Sequence, residues 1–514
     1  MLSKILSAAI WGIDAHLIEV EVDISPQGLP ILSIVGLPDL AVKESKDRLR
    51  ASIKNTGFTF PAKKMTINLA PADLKKEGAH FDLPMALGIL AADGVISPNL
   101  LQKYLIAGEL SLDGRIKDIR GALPMAILAK QLGLAGMIVP FRNGREAAVV
   151  SNIEVLGAET LPQIVAFLNG EQKLPQIKAS LDDLFSNRFL YDEDFSDVKG
   201  QAHAKRALTI AAAGGHNILM VGPPGSGKTM LAKRFPGILP GMTFEEAIEA
   251  TKIHSIYGTL PSDSSLLVTR PYRSPHHTIS DAGLIGGGPT PRPGEVSLAH
   301  SGILFLDELP EFRRNVLEVL RQPMEDGSVT IARATASLTY PARFLLIAAM
   351  NPCPCGYFTD PTRNCVCTPI AIERYRSKIS GPLLDRIDIH IEVPAVPFME
   401  LSTDGSEEGS ETLRQRVFGA REIQQKRYQN EGTLCNAGLK QKQMKRFCKL
   451  DEGSKKLVET AMERFGLSAR AYNRILKVAR TIADLAEREA ITPPDIGEAI
   501  GYRSLDRKLF ATIS

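Results

Sequence analysis

The chain has 514 residues, 44% of them hydrophobic and 23% charged, with a formal net charge of +3. This length is too great for one compact core and predicts roughly three domains of an ordinary soluble globular protein. The longest apolar runs, such as "FLLIAAM", are much shorter than a bilayer crossing, so we expect no transmembrane helix and no membrane partner. Six cysteines, four of them clustered, do not resemble a secreted disulfide framework and favour a reducing cytoplasm.

Strand-like and helix-like patterns alternate over residues 1–168 and predict an α/β or α+β domain that begins with a strand pair. Residues 169–194 lack periodicity and predict a linker. An α/β unit over 195–395, an acidic linker over 396–412 and an all-helical domain over 413–514 follow. Residues 412–514 carry 21 Lys and Arg against 12 Asp and Glu. This surplus indicates either a solvated basic surface or a nucleic-acid contact.

The stretch "HNILMVGPPGSGKTML" predicts a strand, a glycine-rich loop of the G-x-x-x-x-G-K-T type and a helix. Backbone N–H groups of such a loop surround phosphate oxygens, and the helix N-terminus adds a favourable dipole. We expect Lys228 to reach the β and γ phosphates of ATP and Thr229 to hold magnesium. An incidental glycine-rich turn is the alternative, but it would not require the flanking strand and helix. The predicted nucleotide-binding residues are Gly222, Pro223, Pro224, Gly225, Ser226, Gly227, Lys228 and Thr229.

Two further strands end in polar residues. In "GILFLDELPEF" we expect Asp307 to coordinate magnesium through water and Glu308 to orient and deprotonate the attacking water. Such pairs also occur as solvated strand ends, but this one follows a phosphate loop. In "RFLLIAAMN", the neutral amide of Asn351 is suited to positioning a water near the γ phosphate.

Three arginines are candidates for transition-state contacts. Arg386, in "SGPLLDRIDIHIEVP", is either an ion-pair partner or a residue that reaches the site of a neighbouring subunit, which would require an oligomer. Arg470 and Arg474 lie four apart on one face of a predicted helix, "LSARAYNRILKVARTIADLA". We expect one of them to touch phosphate from the helical domain.

The segment "NPCPCGYFTDPTRNCVC" contains two C-x-C pairs. Four thiolates at this spacing can enclose zinc tetrahedrally, although C-x-x-C is the more usual arrangement. Buried thiols without a ligand and transient redox chemistry are the alternatives. A zinc knuckle over 353–367 would make the loop behind Asn351 more rigid. The predicted ligands are Cys353, Cys355, Cys365 and Cys367.

The order of these parts resembles an AAA+ ATPase. "RSPHHTISDAGLIGGGPTPRPGEVSLAHSGILFLDELPEF" and "NPCPCGY…SGPLLDRID" are similar to the magnesium-chelatase-like branch, and specifically to the ComM (YifB) family, over essentially the whole chain. The resemblance implies Walker residues at Lys228, Thr229, Asp307 and Glu308, and sensor 1 at Asn351.

By the same resemblance Arg386 is the arginine finger and Arg470 is sensor 2, with Arg474 as a competitor for the second role. The implied activity is that of a Mg-ATP-driven homohexameric DNA helicase. It would promote branch migration of recombination intermediates in natural transformation, on single-stranded, forked or branched DNA. The alternative is a chelatase-type ATPase that remodels a protein partner.

The segment between Thr243 and Glu295 resembles the second-helix insertion of this branch, which points at the ring pore. Its Arg270, Arg273 and Arg292 either meet a phosphate backbone or have structural roles. His276 and His277 lack a ligand partner at suitable spacing, so we expect no metal there. Residues 327–342 predict a β-hairpin and a second pore element.

The N-terminal stretches "NLAPADLKKEGAHFDLPMALGIL" and "GELSLDGRIKDIRGALPMAILAKQLG" resemble the Lon-protease-like domain. By this match His80 stands where the serine nucleophile would be, and Leu123 where the lysine base would be. A nucleophile without an ionisable base is not activated, so we expect no proteolysis. The resemblance implies an assembly or DNA-facing platform.

Overall fold

The structure is a computed structural model that describes residues 2–186, 189, 191–261, 264–288, 291–333, 336–358, 360, 363–396, 407–429, 431–503 and 505. Parts of the predicted segments lie outside these described residues. They are 187, 188 and 190 of the first linker; 262–263 and 289–290 of the insertion; 334–335 of the hairpin; 359, 361 and 362 of the cysteine segment; 397–406 of the acidic linker; and 430, 504 and 506–514 of the helical domain.

The first two strands, β1 (Leu2–Trp11) and β2 (Asp14–Ser25), form the predicted antiparallel pair. In β2, every second side chain from Ile18 to Ile24 is buried, because successive side chains of a strand point to opposite faces. The other strands of this part are β3 (Leu32–Val35), β4 (Lys64–Ala70), β5 (Tyr104–Ile106), β6 (Glu109–Leu110), β7 (Ile116–Lys117), β8 (Gly136–Pro140) and β9 (Glu154–Ala158).

Among the described residues, seven of these strands make one mixed sheet in the order β3-β4-β2-β1-β5-β8-β9. Helices pack on it, and all residues of the helix over 82–92 are buried, including Asp82. The helices of this part are α1 (Leu40–Asn55), α2 (Asp82–Ala92), α3 (Ala122–Gln131), α4 (Gly144–Ala147), α5 (Leu161–Leu168) and α6 (Leu181–Ser186).

The following α/β part contains a phosphate-loop strand and its helices. Its strands are β10 (Ile218–Val221), β11 (Tyr272–Arg273), β12 (Gly286–Gly287), β13 (Arg292–Pro293), β14 (Ile303–Leu306), β15 (Ser328–Arg333), β16 (Ala336–Pro341), β17 (Leu345–Met350) and β18 (Ile389–Glu392). Its helices are α7 (Ala202–Gly214), α8 (Lys228–Arg234), α9 (Phe244–Tyr257), α10 (Asp281–Ile285), α11 (Glu295–Leu298), α12 (Arg314–Glu318), α13 (Arg321–Asp326), α14 (Pro369–Arg376) and α15 (Gly381–Leu384).

Five of these strands form a parallel sheet in the order β11-β14-β17-β10-β18. Because parallel strands end at the same edge, the loops after β10, β14 and β17 meet there. The predicted hairpin is confirmed, since β15 and β16 pair antiparallel from Ser328 opposite Pro341 to Arg333 opposite Ala336.

The described C-terminal residues are helical, as predicted. The helices are α16 (Ser410–Arg427), α17 (Gln441–Phe447), α18 (Glu452–Phe465), α19 (Ala469–Leu485) and α20 (Pro493–Gly501). One buried hydrophobic cluster includes side chains of β10 and α7 together with those of α16, α19 and α20. These C-terminal helices, called the lid below, therefore share a hydrophobic core with the parallel sheet.

The chain divides into two compact units, one of Met1–Asn187 with Phe244–Val268 and one of Arg188–Thr243 with Thr269–Ser514. In the first unit, α9 packs on α3, and Ser255 of α9 donates to the buried Glu146 carboxylate at 2.5 Å. Part of the predicted insertion is thus grouped with the N-terminal sheet. The mixed α/β, multidomain class is confirmed, whereas the predicted domain boundaries stay predictions.

None of the described helices combines the length and the apolar character that a bilayer crossing requires.

Candidate nucleotide-binding site

The phosphate loop lies between the end of β10 at Val221 and the start of α8 at Lys228. Gly225 and Gly227 have φ values of +77° and +88°, in the left-handed region that glycine adopts without strain. A Cβ on Gly222 would lie 2.1 Å from the carbonyl oxygen of Val393, so glycine is required there by close packing. These conformations bend the loop around the position at which its N–H groups can receive a phosphate.

Lys228 is buried at the base of this loop. Its Nζ donates to the carbonyl oxygens of Gly222 at 2.8 Å and Pro223 at 2.9 Å, and lies 3.4 Å from Oδ1 of Asn351. Burial lowers the pKa of Lys228, while the nearby Asp307 opposes that shift. The structure therefore brings two predicted site residues into contact: Lys228, at the start of α8, and Asn351, just after β17.

The acidic pair lies at the end of β14. Thr229 Oγ1 donates to Oδ2 of Asp307 at 2.7 Å, and the N–H of Glu308 donates to Oδ1 of Asp307 at 2.9 Å. Hydroxyl and carboxylate oxygens are ligands that magnesium prefers, and these two are adjacent. Glu308 has a φ of +51° and a more exposed side chain than Asp307, so the two carboxylates face different surroundings.

Asn351 follows the last residue of β17, and the N–H of Gly222 donates to the carbonyl oxygen of Met350 at 3.2 Å. The parallel pairing of β10 with β17 thus places the amide of Asn351 beside the phosphate loop. Lys228, Thr229, Asp307 and Asn351 form one contiguous cluster, to which Glu308 is attached through its backbone.

Arg386 lies just after α15 and is enclosed, with 7% of its side chain exposed. Its Nη2 forms an ion pair with Oε1 of Glu325 at 2.5 Å, and its Nη1 donates to the carbonyl oxygen of Pro382 at 2.6 Å. The described contacts of Arg386 are therefore with its own subunit.

The two helical candidates differ in their surroundings. Arg470, near the start of α19, is exposed, whereas Arg474 forms an ion pair with the buried Asp388, Nη1 to Oδ1, at 2.9 Å. His216 Nδ1 lies 3.1 Å from Oδ2 of the same carboxylate. Burial alone would raise the pKa of Asp388, but Arg474 and His216 hold it well below its usual value. The guanidinium of Arg474 is thus occupied by an ion pair with a buried carboxylate.

The four cysteines of residues 353–367 come together. Their sulfur atoms all lie within 4.8 Å of one another, with Cys353 to Cys355 at 3.3 Å and both of these 3.6 Å from Cys365. Tetrahedral zinc with Zn–S bonds of about 2.3 Å requires S–S separations of about 3.8 Å, so the cluster fits zinc. The N–H groups of Cys355 and Cys367 donate to neighbouring sulfurs, which stabilises thiolates. Among the described residues, these four cysteines are the group of three or more His, Cys, Asp or Glu whose ligand atoms lie close enough to hold a metal ion.

Comparison with known proteins assigns this architecture. The family described as "Magnesium chelatase, subunit ChlI" matches residues 194–401, that of "Subunit ChlI of Mg-chelatase" matches 20–143, and the corresponding C-terminal family matches 407–503. The competence protein ComM of Haemophilus influenzae is 47% identical over 99% of this chain and 98% of its own length. The chain belongs to the ComM (YifB) family of magnesium-chelatase-like AAA+ ATPases.

Two other relatives support this assignment at different distances. The uncharacterized protein YifB of Escherichia coli K12 is 46% identical over 99% of this chain and 98% of its own length. The magnesium-chelatase 38 kDa subunit of Rhodobacter capsulatus is 26% identical over 31% of this chain and 50% of its own length. The chain is therefore similar to ComM and YifB throughout, and to a chelatase subunit over a part.

In this ComM-family chain the insertion arginines differ in their roles. Arg270 donates to the carbonyl oxygens of Pro240 and Ser301, both at 2.6 Å. Arg273 forms a bidentate pair with Glu295 at 2.6 and 2.8 Å, whereas Arg292 is exposed. Arg270 and Arg273 thus stabilise the fold of the segment.

One of the two insertion histidines makes a contact that its spacing in the sequence does not predict. The lack of an acidic or thiol partner at ligand spacing predicts no metal at His276 and His277, but His277 Nδ1 is 3.5 Å from Oε2 of Glu308. His277 lies shortly after β11, which pairs with β14, and this pairing brings it to the edge of the sheet at which β14 ends. It is a candidate for positioning Glu308.

The predicted Lon-like positions are both inside the N-terminal unit. Burial lowers the pKa of His80 to about 4, and its Nε2 lies 3.0 Å from the carbonyl oxygen of Ala8. Leu123 is completely buried. This environment offers no hydroxyl with an amine base at the two positions, and the absence of proteolysis stays a prediction.

Other relevant residues had no motif that could have identified them. Glu325 pairs with Arg386, and Asp388 joins Arg474 to His216 although these partners lie far apart in sequence. Gly356 contacts Pro224, since a Cβ there would lie 2.5 Å from the Pro224 Cδ. The cysteine segment therefore packs directly on the phosphate loop.

We expect Arg474→Ala to lower the free energy of unfolding of the ATPase unit by about 3 kcal/mol, because it leaves the buried Asp388 charge poorly compensated. Arg470→Ala should change stability by only about 0.5 kcal/mol or less, as an exposed substitution. Urea unfolding monitored by circular dichroism measures both. The double variant Arg474→Ala/Asp388→Asn should recover part of the loss, and equal stability of the two single variants would contradict the assignment.

Proposed function

We propose that this protein is a Mg-ATP-driven homohexameric DNA motor that promotes branch migration of recombination intermediates in natural transformation. The observation that carries the proposal is the cluster of Lys228, Thr229, Asp307 and Asn351 in a chain that matches the competence protein ComM over 99% of its length. We expect it to act in the cytoplasm.

The site residues divide the work of ATP hydrolysis. Lys228 exchanges its loop carbonyl partners for the β and γ phosphate oxygens. Thr229 and Asp307 would hold magnesium, which would neutralise phosphate charge. Glu308 accepts a proton from the attacking water, and Asn351 orients that water. The five residues follow three parallel strands of one sheet, β10, β14 and β17, which fixes their mutual positions.

Two arginines act on the charge that develops in the transition state. Arg386 contacts the nucleotide phosphate bound by the neighbouring subunit, and Arg470, in the lid, contacts the phosphate bound by its own subunit. The exposure of Arg470 and the commitment of Arg474 to Asp388 favour Arg470 as sensor 2. A site completed by a neighbour requires an oligomer, for which a closed ring is the usual solution.

DNA binding is the less direct part of the proposal. In the C-terminal region, Arg427, Arg474 and Arg480 form ion pairs with buried aspartates, so their guanidinium groups are engaged within the fold. Exposed Arg292 and Arg333 are better placed to meet a phosphate backbone, and Arg333 ends strand β15 of the hairpin.

The cysteine cluster binds structural zinc in this proposal. Cys353, Cys355, Cys365 and Cys367 supply four sulfurs at suitable separations. The contact of Gly356 with Pro224 means that zinc would hold the segment that supports the phosphate loop.

A chelatase-type ATPase that remodels a protein partner is the second candidate. The match of residues 194–401 to the magnesium chelatase subunit family favours it, because that family description covers the ATPase core. The two candidates share the nucleotide chemistry and differ in what stimulates it.

We expect ATP hydrolysis to rise with single-stranded, forked or four-way-junction DNA, and Lys228→Ala to lower it by about 100-fold or more at every DNA. Phosphate release at moderate and high salt measures the rate, since phosphate contacts weaken with salt. Hydrolysis that no DNA stimulates would favour the protein-remodelling candidate. Activity retained by Lys228→Ala would contradict the phosphate-loop assignment.

Arg386→Ala should abolish hydrolysis while ATP binding remains nearly unchanged, because the residue acts on the transition state. Mixed with Lys228→Ala subunits, it should regain part of the activity, since some composite sites then contain an intact loop and an intact arginine. Steady-state rates across mixing ratios test this. A linear fall without rescue would indicate that Arg386 acts within its own subunit.

The purified protein should contain about one zinc per chain, and Cys365→Ser should lower that content. Elemental analysis after preparation without chelators measures it, with Cys448→Ser as the matched control because Cys448 is a buried thiol outside the cluster. We also expect a higher KM for ATP in Cys365→Ser. A zinc content far below one per chain in the unmodified protein would contradict the four-thiolate site.

A further inference from the structure

The arginine proposed to act across subunits is held inside its own subunit. The guanidinium of Arg386 pairs with Glu325 through Nη2 at 2.5 Å and donates through Nη1 to Pro382 at 2.6 Å. Its Nε is buried and has no hydrogen-bond partner within the described part of the chain. An arginine in this position must exchange Glu325 for another anion before it can contact a neighbour's phosphate.

The pair is built for such an exchange. The Arg386 side chain is 7% exposed, but that of Glu325 is 50% exposed, so the carboxylate keeps much of its hydration. The exposed side of this carboxylate is open to water and to competing anions. Phosphate oxygens offer a planar guanidinium a stronger, charge-assisted set of acceptors. Glu325 therefore competes with a phosphate for Arg386 without binding it irreversibly.

Glu325 is coupled by covalent geometry to the hairpin. It occupies the last turn of α13, Gly327 ends that helix with a φ of +66°, and β15 begins at Ser328. The carbonyl oxygen of Gly327 accepts from the N–H of Ala342, just beyond β16, at 2.9 Å. A displacement of the hairpin base must therefore move the turn that carries Glu325.

We propose that Glu325 is a positioning residue that holds Arg386 away from the neighbouring subunit's nucleotide until a nucleic-acid strand engages the hairpin β15–β16. This inference rests on the proposed function and adds the contact through which DNA would control hydrolysis. Engagement of the hairpin shifts α13, separates Glu325 from Arg386, and frees the guanidinium for the phosphate of the next site. Hydrolysis is then slow without DNA.

The test compares Glu325→Gln with Asp326→Asn in the full-length protein. Both variants remove one exposed carboxylate charge from the same helix end, but the Arg386 pair involves only Glu325. ATP hydrolysis is measured with and without four-way-junction DNA. We expect Glu325→Gln to raise the DNA-free rate by about fivefold or more, the scale of coupling between linked sites, and to reduce the fold-stimulation correspondingly. Asp326→Asn should behave as the unmodified protein.

Two further variants show whether the increase in DNA-free ATP hydrolysis depends on the ion pair between Glu325 and Arg386. Glu325→Asp keeps the charge and should restore much of the low DNA-free rate. Glu325→Gln/Arg386→Ala should be as inactive as Arg386→Ala, because the released guanidinium is missing. Thermal melting checks that each variant is folded, and a structural role alone would not produce a faster enzyme.

The outcomes separate the inference from the proposed function. If DNA stimulates the unmodified protein but Glu325→Gln has the same DNA-free rate as Asp326→Asn, the inference is overturned and the DNA motor stands. If no DNA stimulates the unmodified protein, the proposed function is overturned, and this inference with it. A raised DNA-free rate that survives in the Arg386→Ala background would also overturn the inference.

Discussion

Backbone hydrogen bonds place β10 between β17 and β18, with Ile218 opposite Ile347 on one side and Ile389 on the other. At the start of β10, Asn217 reinforces both pairings. Its Oδ1 accepts from the N–H of Leu346 at 2.8 Å, and its Nδ2 donates to the carbonyl oxygen of Arg386 at 3.2 Å. At their carboxyl ends, β10 is followed by the phosphate loop, β17 by Asn351, and β18 by the chain that leads to the lid. A change in the register of β10 against β17 would separate Lys228 from Asn351.

Hydrogen bonds and an ion pair of buried side chains connect the lid to the same strands. His216, the residue before Asn217, contacts Asp388 through Nδ1 and Thr481 of α19 through Nε2 at 2.7 Å. Burial lowers the pKa of His216, and the N–H at Nδ1 donates to the Asp388 carboxylate, which only accepts. Arg474 completes the set. These contacts explain why the lid and the parallel sheet share one core, and why Arg474 is unsuited to sensing phosphate.

The cysteine cluster adds a second support around the site. Gly356 contacts Pro224 of the phosphate loop, and the buried Arg376 donates to the carbonyl oxygen of Pro352 at 3.0 Å. Arg376 ends α14, the helix that precedes the segment bearing Arg386. The sulfur cluster therefore lies between the phosphate loop and the chain that presents the proposed arginine finger. Zinc in this position would act on geometry and not on the chemistry of hydrolysis.

The sequence by itself determined the groups whose function depends on local spacing. The phosphate loop, the acidic pair after an apolar strand, the hairpin and the cysteine pairs are each set within a few residues, because turn geometry and strand ends are local properties. The tertiary structure alone decided which distant charges meet. Glu325 with Arg386, Asp388 with Arg474 and His277 with Glu308 are partners because helices and parallel strands bring separate segments together. An ion pair between distant segments has no fixed sequence spacing, since its partners are selected by packing and by the cost of burying an unpaired charge.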